Sequence, residues 1–199
     1  AALLQQHCCE HVIATDISEP SLEKAERLIR YIVLSDRVSF RCGDGLTVLK
    51  PNECDAIAML GMGGTLMAEL LSASPEINAR LVLQPMRAQA DIREYLYLHN
   101  YRITDDRVVI DHGRLYQVFS AEATKERQPW PEGFPKGFFD VGFQSFVEKD
   151  PNLCELCRFQ IEQHNRQMKH AVGTAGERIL GERIAALQQI IDALSEVQA

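Results

Sequence analysis

HVIATDISEPSLEKAERLIRYIVLSDRVSFRCGDGL, residues His11 to Leu46, decides the fold. His11 to Thr15 is a short apolar run, and Val38 to Cys42 is a second. Between them Ser18 is placed to cap a helix and Pro20 suits an early helical position, while Leu22, Ala25, Leu28, Ile29 and Ile32 repeat at helical spacing. Strand, helix and strand over roughly 30 residues make the crossover unit of a parallel sheet.

The alternation continues. Asp55 to Leu60 and Arg80 to Leu83 predict two more strands, and helices follow Gly64 (TLMAELLSAS) and run from Ala88 to His99, with Ile92, Tyr95 and Leu96 on one face. Strands this short and apolar are expected to be buried on both faces of an α/β sheet. After Asn100 the pattern changes. YRITDDRVVIDHG and RLYQVFSAEA predict an antiparallel pair that turns at His112-Gly113. TKERQPWPEGFPK, residues 124–136, mixes charge, proline and glycine and predicts a linker or surface excursion. Asn152 to Ala171 and Ala175 to Val197 predict an antiparallel helical hairpin, with Leu180, Ile184, Leu187, Ile191 and Leu194 as the second helix's seam. The expected division is therefore 1–123, an irregular 124–149, and a coiled-coil-like hairpin over 150–199.

Composition narrows the function classes. With 46% hydrophobic residues, 199 residues suffice for one good core. No run reaches the roughly 18 apolar residues of a membrane span, and AALLQQHCCEH lacks the pattern of a secretory signal, so a cytoplasmic protein is expected. Of six cysteines only Cys154 and Cys157 form a C-x-x-C pair; a zinc site needs two further ligands, so no metal is expected. The net charge of -7 argues against a uniformly basic nucleic-acid surface, though it allows a local basic patch.

The candidate chemistry lies at strand ends, where open α/β sheets bind ligands. Asp16, closing the first strand, is placed either to accept both ribose hydroxyls of a nucleoside cofactor or to start the following helix. Asp44, between Gly43 and Gly45, is either an acceptor for an exocyclic amine, with a neighbouring N–H serving a ring nitrogen, or a local turn cap. Gly61-Met62-Gly63-Gly64 puts three glycines directly before a helix, which lets backbone approach a ligand or simply turns the chain. It is not a phosphate fingerprint, since Leu66 occupies the position of the last glycine in G-x-G-x-x-G. Gln84 can reach a base edge or cap a neighbouring loop. His112 sits in the predicted turn.

Asp16-Ile17, Arg41 to Leu46, Gly61 to Gly64, Leu81 to Pro85, Ile92 to Leu96 and Gly113 to Val118, in that order and spacing, resemble the bacterial tRNA (adenine(22)-N1)-methyltransferase family. The resemblance covers most of the chain. It implies a Rossmann-like class I methyltransferase sheet with a C-terminal helical hairpin, S-adenosylmethionine as cofactor and tRNA as partner. By the same resemblance Asp16 and Ile17 bind the ribose side, Asp44, Gly45 and Leu46 the adenine side, and Gly61 the cofactor as well. Gly61, Met62, Gly63 and Gly64 would line the place where methyl donor and target base meet. Family members begin with a strand and glycine-rich turn that would precede Ala1, so an N-terminally truncated sheet is expected.

For the RNA, Gln84, Arg87, Arg93 and Arg114 are the candidates near the sheet edge, followed by Arg102 and Arg107, with Arg158, Arg166 and Lys169 on the first tail helix. A methyltransferase acting on a small molecule is one alternative, which salt-sensitive tRNA binding would separate. Another is a non-catalytic interaction module that self-associates through the hairpin.

Overall fold

The computed structural model describes residues 1–196, so Val197, the expected last residue of the second tail helix, lies outside the described residues. The chain divides into two compact units, residues 1–53 with 69–77, and residues 54–68 with the chain from 78 onward.

The first unit opens with a one-turn helix, α1 (Ala2–Gln5), too short to leave a periodic signal. β1 (Val12–Asp16), α2 (Glu19–Tyr31) and β2 (Val38–Cys42) follow as the spacing predicts, the second strand on its predicted bounds and the first one residue late. The strands pair in parallel from Val12 opposite Val38 to Asp16 opposite Cys42. α2 begins where the Ser18 hydroxyl accepts the Ser21 N–H at 3.4 Å with Pro20 in the first turn. It ends in a Schellman-type closure, the Leu34 N–H donating to Ile29 O and the Val33 N–H to Arg30 O, both at 3.1 Å, with Val33 at φ 57°. Leu22 and Ile29 are buried, and α2 covers both strands. An apolar cavity of about 160 Å³ remains among Leu4, Val12, Leu28 and Phe40. Beyond β2, Arg41 donates both terminal nitrogens to Glu53 at 2.7 Å, and the Lys50 N–H adds a bond at 2.9 Å. Arg41 first, then the Lys50 N–H, hold the Glu53 carboxyl down to about 2.

The second unit holds β3 (Ala56–Gly63), α3 (Gly64–Ala73, shared with the first unit), β4 (Arg80–Arg87), α4 (Gln89–Leu98), β5 (Tyr101–Asp111) and β6 (Arg114–Ala123). Its sheet order is β3-β4-β6-β5, with β3 and β4 parallel and β6 antiparallel to both neighbours. β3 and β4 run past their predicted ends, because pairing resumes beyond an irregularity at Gly61: Met62 faces Pro85 and Gly63 faces Arg87. Burial on both faces is corrected: every residue of β1 and β2 is half-buried or exposed, and in β3 exposed Ala56, Ala58 and Leu60 alternate with buried Ile57 and Met59. The hairpin turns at His112 and Gly113, at φ 47° and 72°, the paired positive angles of a type I′ turn.

Residues 124–149 are not a free linker. Phe134, Phe138, Phe139, Val141 and Phe143 are buried, and α5 (Phe143–Val147) forms within the segment. Gln128 ties it to β5, accepting the Ile103 N–H at 2.8 Å and donating to Ile103 O at 3.1 Å. Fully buried Arg93 ties it to α4: Nε and one terminal nitrogen donate to the Asp106 carboxylate at 3.0 Å each, and the other terminal nitrogen donates to Phe139 O at 3.3 Å. Its guanidinium lies 4.6 Å from the Phe119 ring centre. α6 (Leu153–Ala171) is anchored beside β5 by Val108, whose N–H donates to Asp150 at 3.0 Å and whose carbonyl accepts from Asn152 at 2.8 Å. α7 (Ala175–Glu196) packs back on α6, and the seam residues Leu187, Ile191 and Leu194 are buried within the chain itself. That burial removes from the surface most of the seam on which self-association was expected to rest. Cys157 is buried on α6 and burial pushes its thiol up to about 12. No helix among the described residues is long and apolar enough to cross a membrane.

Removing one partner of a buried ion pair strands the other charge, so Asp106→Ala is expected to cost about 3–5 kcal/mol in urea unfolding. Glu53 has a depressed pKa, so its stabilising effect is complete above its ordinary 4.5 and is lost as pH falls toward 2. Glu53→Gln should therefore lower the thermal midpoint at pH 7 and converge with the parent across that interval; a constant difference would contradict the assignment.

Candidate functional site

In the first unit, the turns after β1 and β2 meet at the carboxyl edge, where the Gly43 N–H donates to Asp16 O at 3.0 Å. Asp16 is half-buried, and its Oδ1 accepts the Ser18 N–H at 2.8 Å. Oδ2 has no protein partner among the described residues, so the helix-start role occupies only half of the carboxylate. Ile17 beside it is 74% exposed, an apolar surface next to an acid. Asp44 is exposed; its backbone carbonyl accepts from Thr47, while its carboxylate is unpartnered among the described residues. Leu46 beside it is buried. The Gly45 N–H is spent on Gly43 O at 3.0 Å, while the Asp44 and Leu46 N–H groups have no acceptor among the described residues.

In the second unit, Gly61 to Gly64 crosses from the carboxyl end of β3 into α3. Gly61 has φ 77°, which a side chain would strain. Its N–H donates to Gln84 Oε1 at 2.9 Å, so of the two roles open to Gln84 the structure shows the loop-holding one. Gly64 is required by contact: a Cβ there would lie 2.0 Å from Ala88 O, where α4 begins. Thr65 Oγ1 and Asp91 Oδ2, 2.6 Å apart, join the starts of α3 and α4. The segment is thus a braced loop rather than a flexible turn.

The predicted RNA-contacting residues separate. Arg87 and Arg114 are exposed and unpaired among the described residues. Arg93 is corrected: with 0% exposure and its guanidinium committed to Asp106, it has no surface to offer. Arg107 pairs with Asp105 at 2.6 Å and Glu148 at 2.9 Å. His112 is an exposed turn residue whose Nδ1 lies 2.9 Å from Asp111.

A cavity of about 500 Å³ opens beside the glycine loop, bounded by the end of β4 from Gln84 to Met86, the hairpin turn from Gly113 to Tyr116, and α6 from Glu155 to Glu162. Arg158 of the α6 wall is among the residues expected to contact RNA, but its meeting with β4 and the hairpin turn is not written in the sequence, because only tertiary packing brings that helix there. Its available signal was Phe159, a large aromatic left 48% exposed on an otherwise polar face.

The family model described as a methyltransferase domain matches residues 1–119. The tRNA (adenine(22)-N(1))-methyltransferase of Bacillus subtilis (strain 168) is 30% identical over 198 residues, covering 94% of this chain and 82% of that protein. This chain belongs to the tRNA (adenine(22)-N1)-methyltransferase family. The crystal structure of the B. subtilis M1A22 tRNA methyltransferase TrmK is similar with a TM-score of 0.84 at 29% identity, over 96% of this chain and 86% of that one. The structure of M. capricolum TrmK in complex with S-adenosyl-homocysteine gives 0.82 at 17% identity, over 97% and 85%, a likeness of fold alone. The fold of this family member is accordingly the Rossmann-like α/β methyltransferase fold with C-terminal helices, as the motif order implied.

Gly64→Ala should destabilise the protein by about 1–3 kcal/mol in urea unfolding, since its new methyl meets backbone rather than a movable side chain. Unchanged stability would contradict the close approach to Ala88.

Proposed function

We propose that this protein transfers a methyl group from S-adenosylmethionine to N1 of adenine 22 in tRNA. The carrying observation is the braced Gly61–Gly64 loop at the end of β3, in a chain 30% identical over 198 residues to an enzyme named for that reaction.

The residues present suit the cofactor. Asp16 Oδ2 is free to accept from a ribose hydroxyl, Ile17 offers an apolar face, and the exposed Asp44 carboxylate is the acceptor that an adenine amine matches, with Gly45 and Leu46 assigned beside it. Gly61 is the further residue that the resemblance assigns to the cofactor. When bound, S-adenosylmethionine supplies an electrophilic methyl on a sulfonium. Adenine N1 already carries an in-plane lone pair, so the protein need not remove a proton before attack. Its task is positioning, which suits a loop whose Gly61 N–H is pinned by Gln84 and whose exit into α3 is tied to α4 by the Thr65 and Asp91 side chains. Arg87 and Arg114 supply unpaired positive charge for RNA phosphates. Residues 1–123 are assigned the transfer chemistry and 150–199 a supporting hairpin, with the cytoplasm as the compartment.

Asp16→Asn separates the two roles of this side chain, because the amide oxygen keeps the Ser18 contact while the carboxylate is lost. By calorimetric titration it should bind S-adenosylmethionine at least about tenfold more weakly, equivalent to ~1.4 kcal/mol, with an unchanged thermal midpoint. Equal affinity would remove Asp16 from the site, and no binding by the parent would overturn the reading.

A further inference from the structure

The cavity between β4, the hairpin turn and α6 has no ligand assigned above, although Gln84, Arg114 and Arg158 on its wall are among the residues expected to contact RNA. None of Gly61 to Gly64 lines it, so it is not the place where an acceptor base would meet the loop. Its volume of about 500 Å³ falls within the range of small-ligand sites. Three features of its wall point to one chemistry.

The first is cationic. Arg114 and Arg158 line the cavity, both exposed, and neither is paired among the described residues. Most other arginines of the chain are committed, among them Arg30, Arg41, Arg80, Arg93, Arg107, Arg178 and Arg183. The second is aromatic. Tyr116 on β6 and Phe159 on α6 both line the space, Phe159 nearly half exposed, and Met86 adds a soft apolar edge that is 51% exposed. The third is a directional donor. The Gly61 N–H can only donate, so the Gln84 atom facing it must be the oxygen, and Nε2 is turned away from the loop. That nitrogen lies 3.2 Å from Met86 Sδ, a weak acceptor, and so keeps donor capacity for a ligand. Glu155 and Glu162 provide acceptors on the opposite wall.

Phosphate-seeking guanidiniums, a stacking surface and edge-reading polar groups together describe a nucleotide. We propose that this cavity holds one nucleotide of the RNA substrate other than the methylated adenine, its base against Tyr116 and Phe159 and its phosphate on Arg114 and Arg158. This rests on the RNA reading above. It also gives Gln84 a second function, since the amide that senses the nucleotide is the one that pins the glycine loop.

The test is fluorescence anisotropy of labelled, unmodified tRNA with the parent, Phe159→Ala and Arg158→Ala at several salt concentrations. Both side chains are exposed on α6, so neither change empties a core. Phe159→Ala should weaken tRNA binding at least about fivefold with an unaltered salt slope, as lost stacking does. Arg158→Ala should weaken it and lower the slope by about 1, as a lost phosphate contact does. S-adenosylmethionine affinity should be unchanged in both. Parental tRNA affinity in both variants would overturn the proposal, even if adenosine 5′-monophosphate occupied the cavity, because the site would then serve a free nucleotide. Failure of the parent itself to bind tRNA would instead overturn the RNA reading and this proposal with it.

Discussion

The second unit is organised by the ion pair between Arg93 and Asp106. Two buried charges are tolerated only where geometry and surrounding hydrogen bonds offset their lost hydration. Here the guanidinium meets both carboxylate oxygens at 3.0 Å, and its remaining edge meets Phe139 O. The contact joins α4 to β5 and brings in the aromatic segment that precedes α5. A Cβ at Gly142 would lie 2.2 Å from the Asp106 carboxylate, so that segment passes close against the pair. A few residues later Asp150 and Asn152 bond Val108 and set where α6 starts. The wall that α6 contributes to the cavity therefore follows from a salt bridge that touches no ligand.

At the other end of the sheet the constraint is steric. β3 and β4 lie in parallel, and α3 and α4 start so close together that only glycine fits at position 64. Gln84 adds a hydrogen bond that holds Gly61 in a conformation a side chain would resist. Under the proposed function, a methyl transfer to a nitrogen with a ready lone pair asks for such fixed placement more than for proton transfer.

Local pattern made the crossover unit legible, because two short apolar runs on either side of a helix of period 3.6 are written in a few tens of residues. β2 matches its predicted bounds, and His112-Gly113 is the turn that the dipeptide implies. What local pattern hides is pairing at long range. β3 and β4 continue past glycines that mimic a turn, and the burial of Arg93 depends on Asp106 thirteen positions away and Phe139 forty-six away. The aromatic residues from Trp130 to Phe146 carry no period, so composition suggests a linker where the structure has packed rings. Among the candidate residues, the positions of Asp16 and Asp44 at or just after strand ends were readable, while the roles proposed for them rest on the resemblance. The share of Gln84 in bracing the loop, and of α6 in forming the cavity, required the fold.

The modified atom is identified most directly by the product. Purified protein would be incubated with S-adenosylmethionine and an unmodified tRNA transcript, and the nucleosides analysed by mass spectrometry with position mapped by primer extension. The account requires 1-methyladenosine at position 22, absent when that adenine is replaced by guanine. Methylation at another atom or position, or none by a protein that binds both cofactor and tRNA, would contradict it.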